Sequence, residues 1–445
     1  MMKKKLFTVF ICIVSVVGLM GCNVGKILEQ KTVEPVALPT SEETLTIGIW
    51  NGSHHIFEEQ QMQQLADAGI SLIIGVNEQW TGGSGMLGVL ERARLSDVKV
   101  VADFREWDGK TIPAYAGHPA IAGYLMWDEP STLNLDSLKS TKKAFEEMMP
   151  EGSEFYVNLN GKSASYPSLY GEEAWHDYET EYVDSFVDGL ELEKLAYDNY
   201  GLLDGATSLR PTYYNNLEIM ATTAKERKIP FQYTLLSAGH STTDAIFTVP
   251  TEEELRWQMA VGLTFGAKEL VHYVYTSHEE EYSTMIEYDT LAPTPLYDDI
   301  KKVNLEYLEW DEIYRNYDWM GIAKLDTGKT NEALEQMEKC IQATEYGGIK
   351  DLDADGDLLI GVFADAEENT AFMLTNAGEA TDGGVHNKLD FEMKDVTATI
   401  AFEKGCKCVA VIQKGETTFY AMNENNKMTI PVSSYEGVFV IPIYE

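Results

Sequence analysis

From residue 46 to residue 275 the chain repeats one pattern. A short, nearly continuous apolar run is followed by a longer stretch with apolar positions three and four apart. The runs are 46–50 (TIGIW), 71–76 (SLIIGV), 99–104 (KVVADF), 121–127 (IAGYLMW), 154–160 (EFYVNLN), 195–200 (LAYDNY), 231–236 (FQYTLL) and 269–275 (ELVHYVY). Runs without polar alternation are the mark of parallel strands covered on both faces. The stretches between them, such as 57–68, 137–149 and 252–265, read as amphipathic helices. Eight such units predict a (β/α)8 TIM barrel over residues 44–328. An open doubly wound sheet is the main rival. It would place a glycine-rich phosphate turn after the first strand, and Trp50-Asn51-Gly52-Ser53-His54-His55 is not one.

Beyond residue 350 the texture changes. Runs at 358–363, 371–375, 396–402, 408–413, 417–421 and 437–443 are short and divided by polar turns, with no long helical period between them. This predicts a C-terminal antiparallel β-sandwich domain over residues 351–445. Residues 329–350 form a connecting segment with one helix at 331–343. Residues 351–356 (DLDADG) begin like a calcium loop, but the twelfth position is Val362 where that loop needs a glutamate. An acidic turn opening a strand is the expectation.

The N-terminus carries an address. Lys3, Lys4 and Lys5 precede an apolar run over 6–20, the plan of a secretory signal. The run is short for a spanning helix. Leu19-Met20-Gly21-Cys22 resembles a bacterial lipobox. That resemblance implies a lipoprotein signal peptide over 1–21, lipid on Cys22, and a protein held at the extracytoplasmic face of the cell membrane. One acyl chain anchors only marginally, so several are implied. Residues 22–43, with Pro35 and Pro39, read as a flexible tether.

A net charge of −38 repels phosphates, so nucleic acid is excluded as a partner, whereas a neutral glycan would not be repelled. Of five cysteines, Cys12 and Cys22 lie in the N-terminal segment. Cys340, Cys406 and Cys408 lie in the body and show no metal-ligand spacing. No metal or other cofactor is expected.

In a barrel, chemistry sits at the carboxyl ends of the strands. Those ends carry Trp50; Asn77, Glu78 and Trp80; Asp103, Arg105, Glu106 and Trp107; Trp127, Asp128 and Glu129; Asn158 and Asn160; Tyr197, Asp198, Asn199 and Tyr200; Gln232, Tyr233, Ser237 and His240; and His272, Tyr273, Tyr275 and the glutamates at 279–281. Carboxylates, amides and aromatic rings together suit sugars: rings stack on pyranoses, amides bind hydroxyls, and two carboxyl groups cleave the acetal. The substrate-binding set expected from this rim is Trp50, Glu78, Asp103, Trp127, Asp128, Asn158, Tyr197, Tyr200, Gln232 and Tyr275.

Residues 123–130 (GYLMWDEP) resemble the fourth strand of clan-A glycoside hydrolases, in which a glutamate ending that strand is the acid/base. Residues 196–200 (AYDNY), 216–218 (NLE), 254–258 (ELRWQ) and 266–268 (GAK) are similar to bacterial relatives of that clan. The resemblance implies a cell-surface glycoside hydrolase acting on an oligo- or polysaccharide, with Glu129 as general acid/base. Two departures stand out. Asp128 occupies a place where the clan has asparagine, and the seventh run ends without the clan's glutamate nucleophile. The second carboxylate must then come from elsewhere. Even-numbered strands share layers inside a barrel, which favours Asp198, with Glu78, Asp103 and the 279–281 loop as alternatives. A spacing of about 5 Å would imply retention and about 6.5–9.5 Å inversion. A sugar-binding lipoprotein that has lost catalysis, and a lyase or esterase on the same scaffold, remain as rival readings.

Overall fold

The computed structural model describes residues 30–52, 58–81, 85–203, 209–242, 245–277, 282–328, 331–378 and 394–444. The segment expected to be a signal peptide, Cys22 and the glutamates at 279–281 lie outside the described residues.

Eight parallel strands close into a barrel: β1 (Thr46–Trp50), β2 (Leu72–Val76), β3 (Lys99–Asp103), β4 (Ile121–Asp128), β5 (Glu154–Leu159), β6 (Leu195–Asp198), β7 (Phe231–Leu236) and β8 (Glu269–Tyr273). The ring closes through β1 and β8, with Ile47 opposite Leu270. The principal helices around it are α1 (Glu59–Asp67), α2 (Gly85–Leu95), α3 (Leu135–Met148), α4 (Tyr213–Arg227), α5 (Glu252–Thr264) and α6 (Pro295–Leu308). Alternate strand residues fill the inside, among them Leu72, Ile74, Val101, Leu125, Tyr156 and Val271. At the amino ends of the strands Lys194 bridges Glu154 at 3.2 Å and Glu269 at 2.9 Å. The bottom is thus sealed by a paired charge, and the opposite end is left for chemistry.

The C-terminal domain has a six-stranded antiparallel sheet in the order β9 (Asp318–Leu325), β11 (Leu358–Ala364), β12 (Thr370–Asn376), β17 (Gly437–Ile443), β14 (Cys408–Gln413), β15 (Glu416–Ala421). A three-stranded sheet, β10 (Ile349–Ala354), β13 (Val396–Phe402) and β16 (Lys427–Val432), accompanies it. The first strand, β9, lies upstream of the segment expected to connect the domains. The helix expected at 331–343 shortens to Glu332–Glu335. The backbone N–H groups of Glu338 and Lys339 point instead at the buried Glu218 carboxylate, 2.8 Å from each. Residues Asp351–Ala354 belong to β10, and Cys340, Cys406 and Cys408 are unpaired thiols.

Helix α5 joins the two domains. Its residues from Glu254 to Thr264 are buried all round, as a helix between two layers must be. Trp257 Nε1 donates to Asn376 O at 2.9 Å, and the hydroxyls of Thr264 and Thr375 meet at 2.6 Å. The sheet lies so close that a Cβ on Gly361 would come within 2.3 Å of the Thr264 carbonyl oxygen. The end of the expected tether is docked too. Lys31 and Val33 exchange backbone hydrogen bonds with β15, and Ser41 N bonds Glu312 O at 2.9 Å.

Candidate active site

Glu129 follows the last residue of β4 in a left-handed conformation, φ 51°. That region costs a residue with a Cβ about 1–2 kcal/mol, and such strain persists where surrounding bonds enforce it. Here they do. Glu129 N donates to Asn158 O at 2.9 Å, and Tyr182 OH donates to Pro130 O at 2.7 Å. Tyr182 OH also accepts from Asn160 N at 3.0 Å, and the stacked Tyr178 donates to Asn160 O at 2.6 Å. Asn216 on α4 donates to Tyr178 OH at 3.3 Å and accepts from Lys162 N at 2.8 Å. The 216–218 motif therefore has a physical role: Asn216 pins the loop after β5, and Glu218 pins the segment entering the β domain.

The side chain of Glu129 is hydrogen-bonded to Asp198 from the end of β6. Asn158 Nδ2 donates to Asp198 Oδ1 at 2.9 Å and to Asp128 Oδ1 at 3.1 Å, tying three strand ends together. Arg105 completes the row. It chelates Asp103 at 3.0 and 2.8 Å and stands 3.9 Å from Asp128.

Repulsion from Asp198, then burial, then the charge of Asp128 push Glu129 upward from its ordinary 4.5 to about 9. Burial and Asp128 raise Asp198, and hydrogen bonds from Asn158 and Glu129 hold it back, leaving it at about 7. Two acids in contact titrate as a pair that holds one proton between them. Asp103 behaves oppositely. Burial works to raise it, but the hydrogen bonds and charge of Arg105 outweigh burial and hold it below its ordinary value.

The pair lies on the wall of a cavity of about 900 Å³, at the upper end of the range for small-ligand pockets. Aromatic side chains face it: Trp50, Tyr200, Phe247, Tyr273 and Tyr282, with the His240 ring stacked between Phe247 and Tyr282 at 4.6 and 5.1 Å. Trp50 Nε1 and Asn158 Oδ1 are buried and have no hydrogen-bond partner among the described residues. Such groups call for a ligand or water. No cluster of His, Cys, Asp and Glu suited to a metal ion occurs among the described residues.

No protein-family model matches the chain, and neither does any curated sequence. Solved structures do resemble it. One described as a glycoside hydrolase aligns over 91% of this chain and 96% of its own, at 8% identity and a TM-score of 0.50. This chain shares its fold with a glycoside hydrolase. A family 39 glycoside hydrolase from Bacteroides cellulosilyticus aligns over 90% of this chain and 81% of its own, at 12% identity and a TM-score of 0.47. An endo-β-1,4-mannanase from Thermotoga petrophila aligns over 88% and 98%, at 10% identity and a TM-score of 0.38.

Of the residues expected to bind substrate, Trp50, Asp128, Asn158 and Tyr200 line the cavity beside Glu129 and Asp198. The other six do not. Tyr197 is fully buried on the outer face of β6, stacked on Phe231 at 5.8 Å. Gln232 is fully buried below the cavity and donates to Tyr156 OH at 2.5 Å. Tyr275 is fully buried against Gln61 of α1, and Glu78 is exposed on a short turn at Glu78–Trp80. Asp103 is held by Arg105. Trp127 faces outward because β4 carries a bulge. Leu125 pairs with Tyr156 and Trp127 with Val157, so Met126 is the extra residue and Asp128 turns inward opposite Asn158. Sequence reasoning missed Lys162, Arg210, Phe247 and Tyr282, which reach the cavity from loops after β5, β6, β7 and β8. Only their place after a barrel strand could have signalled them.

Proposed function

We propose that this protein is a glycoside hydrolase, anchored outside the cytoplasmic membrane through lipid on Cys22, with Glu129 as its general acid. The observation that carries the reading is the hydrogen-bonded Glu129–Asp198 pair in an aromatic-lined cavity at the carboxyl end of the barrel. A carboxyl group that stays protonated at neutral pH can donate to a glycosidic oxygen as the bond to the anomeric carbon breaks.

The hydrogen bond between the two carboxyls sets them nearer the roughly 5 Å spacing than the roughly 6.5–9.5 Å one. In our reading Asp198 works beside Glu129, on the same face of the sugar. It keeps the proton on Glu129, and its charge stabilises the cationic sugar once that proton has gone. Glu129, then a carboxylate, takes a proton from the water entering where the leaving group departed. This cycle predicts retained configuration at the anomeric carbon. The test is hydrolysis of a panel of aryl glycosides and oligosaccharides, with turnover falling by about 10²–10⁴ in Glu129→Gln. Unchanged turnover in that variant would refute the assignment. For the anchor, Cys22→Ser should move the protein from the membrane fraction to the medium.

One observation favours a second reading, a sugar-binding lipoprotein without catalysis. Among the described residues lining the cavity, the only carboxylates are Asp128, Glu129 and Asp198, and β7 ends on Leu236 with Ser237 next. A binder would hold sugars equally well with Glu129 or Gln at that position and release no product.

A further inference from the structure

Five of the seven arginines in this acidic chain are paired with a carboxylate among the described residues. Arg94, Arg105, Arg227, Arg256 and Arg315 each hold a carboxylate. Arg210 differs. It lines the catalytic cavity, its Nη1 donates to the neutral Ser163 hydroxyl, and its guanidinium lies 5.7 Å from the Phe247 ring. It feels the charge of Asp198, yet among the described residues no carboxylate forms a salt bridge with it. Lys162 lines the same cavity one residue from Ser163, and its Nζ donates to the neutral Asn215 amide oxygen at 2.5 Å. The loop carrying Lys162 is fixed. Asn216 holds its backbone N–H at 2.8 Å, and a Cβ on the preceding Gly161 would come within 2.9 Å of the Asp198 carbonyl oxygen. Two cations that form no salt bridge among the described residues, Arg210 within reach of the Asp198 charge and Lys162 within reach of the Asp177 charge, therefore line the cavity of the acid pair, in a protein of net charge −38.

We infer that Lys162 and Arg210 form an anion subsite next to Glu129 and Asp198, which takes the carboxylate of a uronic acid residue in a short glycan. This rests on the glycoside reading above and names its substrate class. A planar guanidinium fork matches a carboxylate, and an ammonium beside it adds a point charge. The acidic surface repels dense polyanions. Screening confines that repulsion to about 10 Å, so a single uronate or a short oligosaccharide fits better than a long charged polymer. The competing explanation is that the two cations only neutralise the three acids of the cavity. It predicts no preference for charged sugars.

The experiment measures calorimetric binding of the full chain carrying Glu129→Gln to di- to tetrasaccharides containing glucuronate, galacturonate or mannuronate. Each is compared with the same oligosaccharide after reduction of its carboxyl group. At least one uronate ligand should bind about 10–100-fold tighter than its reduced twin, the worth of charge-assisted hydrogen bonds. Adding Arg210→Gln or Lys162→Gln should remove most of that preference and leave affinity for the reduced twin within about twofold. Equal affinity within every pair, no binding of any uronate, or a preference that survives both Arg210→Gln and Lys162→Gln would overturn the inference. So would binding of a sulfated neutral oligosaccharide in place of the uronates. Glu129-dependent turnover of neutral glycosides alone would also overturn it while sparing the proposed function. Uronate binding without Glu129-dependent turnover would do the reverse.

Discussion

Removing the charge of Asp198 should bring the Glu129 pKa down. Repulsion from Asp198 is the largest cause of its elevation, so Asp198→Asn, which keeps shape and hydrogen-bonding reach, isolates that cause. Two charges in hydrogen-bond contact interact by about 4 kcal/mol at an effective dielectric of about 20, or roughly three pKa units. Glu129 is reached by solvent through the cavity, and screening in such an open site discounts the figure. A fall of about one to two units is the expectation. The assay is a pH titration of carboxyl 13C shifts in protein labelled on glutamate, with Glu129→Gln used to assign the resonance. In the wild type the Glu129 signal should titrate well above the ordinary carboxylate range, with a second inflection from its partner. In Asp198→Asn it should titrate once, and lower. An unchanged midpoint would mean that burial alone sets the pKa, and the shared-proton account would fail.

Other consequences follow from the same contacts. Because the fold raises the Glu129 pKa above its ordinary 4.5, the folded state holds a proton that the unfolded chain releases. Stability therefore falls as pH rises from about 4.5 toward about 9. Glu129→Gln should abolish that loss and raise Tm at neutral pH by about 1–4 °C, with no gain at pH 4; a Tm below wild type at neutral pH would contradict this. Gly361→Ala drives a methyl into the Thr264 carbonyl and should cost about 1–3 kcal/mol in chemical denaturation; an unchanged midpoint would mean the domains part easily. Glu218→Ala leaves two backbone N–H groups without their acceptor and should cost about 2–4 kcal/mol, visible as faster amide exchange at Glu338 and Lys339; wild-type exchange there would refute it.

The barrel was legible because its strands are apolar on both faces, so each run announces itself without knowledge of its neighbours. The β domain was legible for the opposite reason, since its runs are short and punctuated by turns. Strand β9 escaped notice because residues 318–325 (DWMGIAKL) mix charge, glycine and apolar residues. Its partner β11 decides its state. The helix over 331–343 was overread because a side chain far away in sequence, Glu218, competes for its backbone donors. At the site, Tyr197 follows from strict alternation once Asp198 is taken as inward. Trp127 and Asp128 do not, because a bulge reverses the parity of β4 and leaves no mark in the run of letters. Lys162 and Arg210 were invisible because loops have no period, and only the fold brings residues 162 and 210 to one wall.

The central claim is that Glu129 delivers a proton to a departing sugar oxygen. Its most direct test compares wild type and Glu129→Gln on two glycosides of one sugar, a dinitrophenyl glycoside whose leaving group needs no proton and an alkyl glycoside whose leaving group does. The account predicts that the variant loses about 10²–10⁴-fold in kcat/KM on the alkyl substrate and less than about tenfold in kcat/KM on the dinitrophenyl one, because kcat/KM reports the steps up to bond cleavage, before Glu129 acts on the water. Equal losses on the two, or none on either, would show that Glu129 is not the acid.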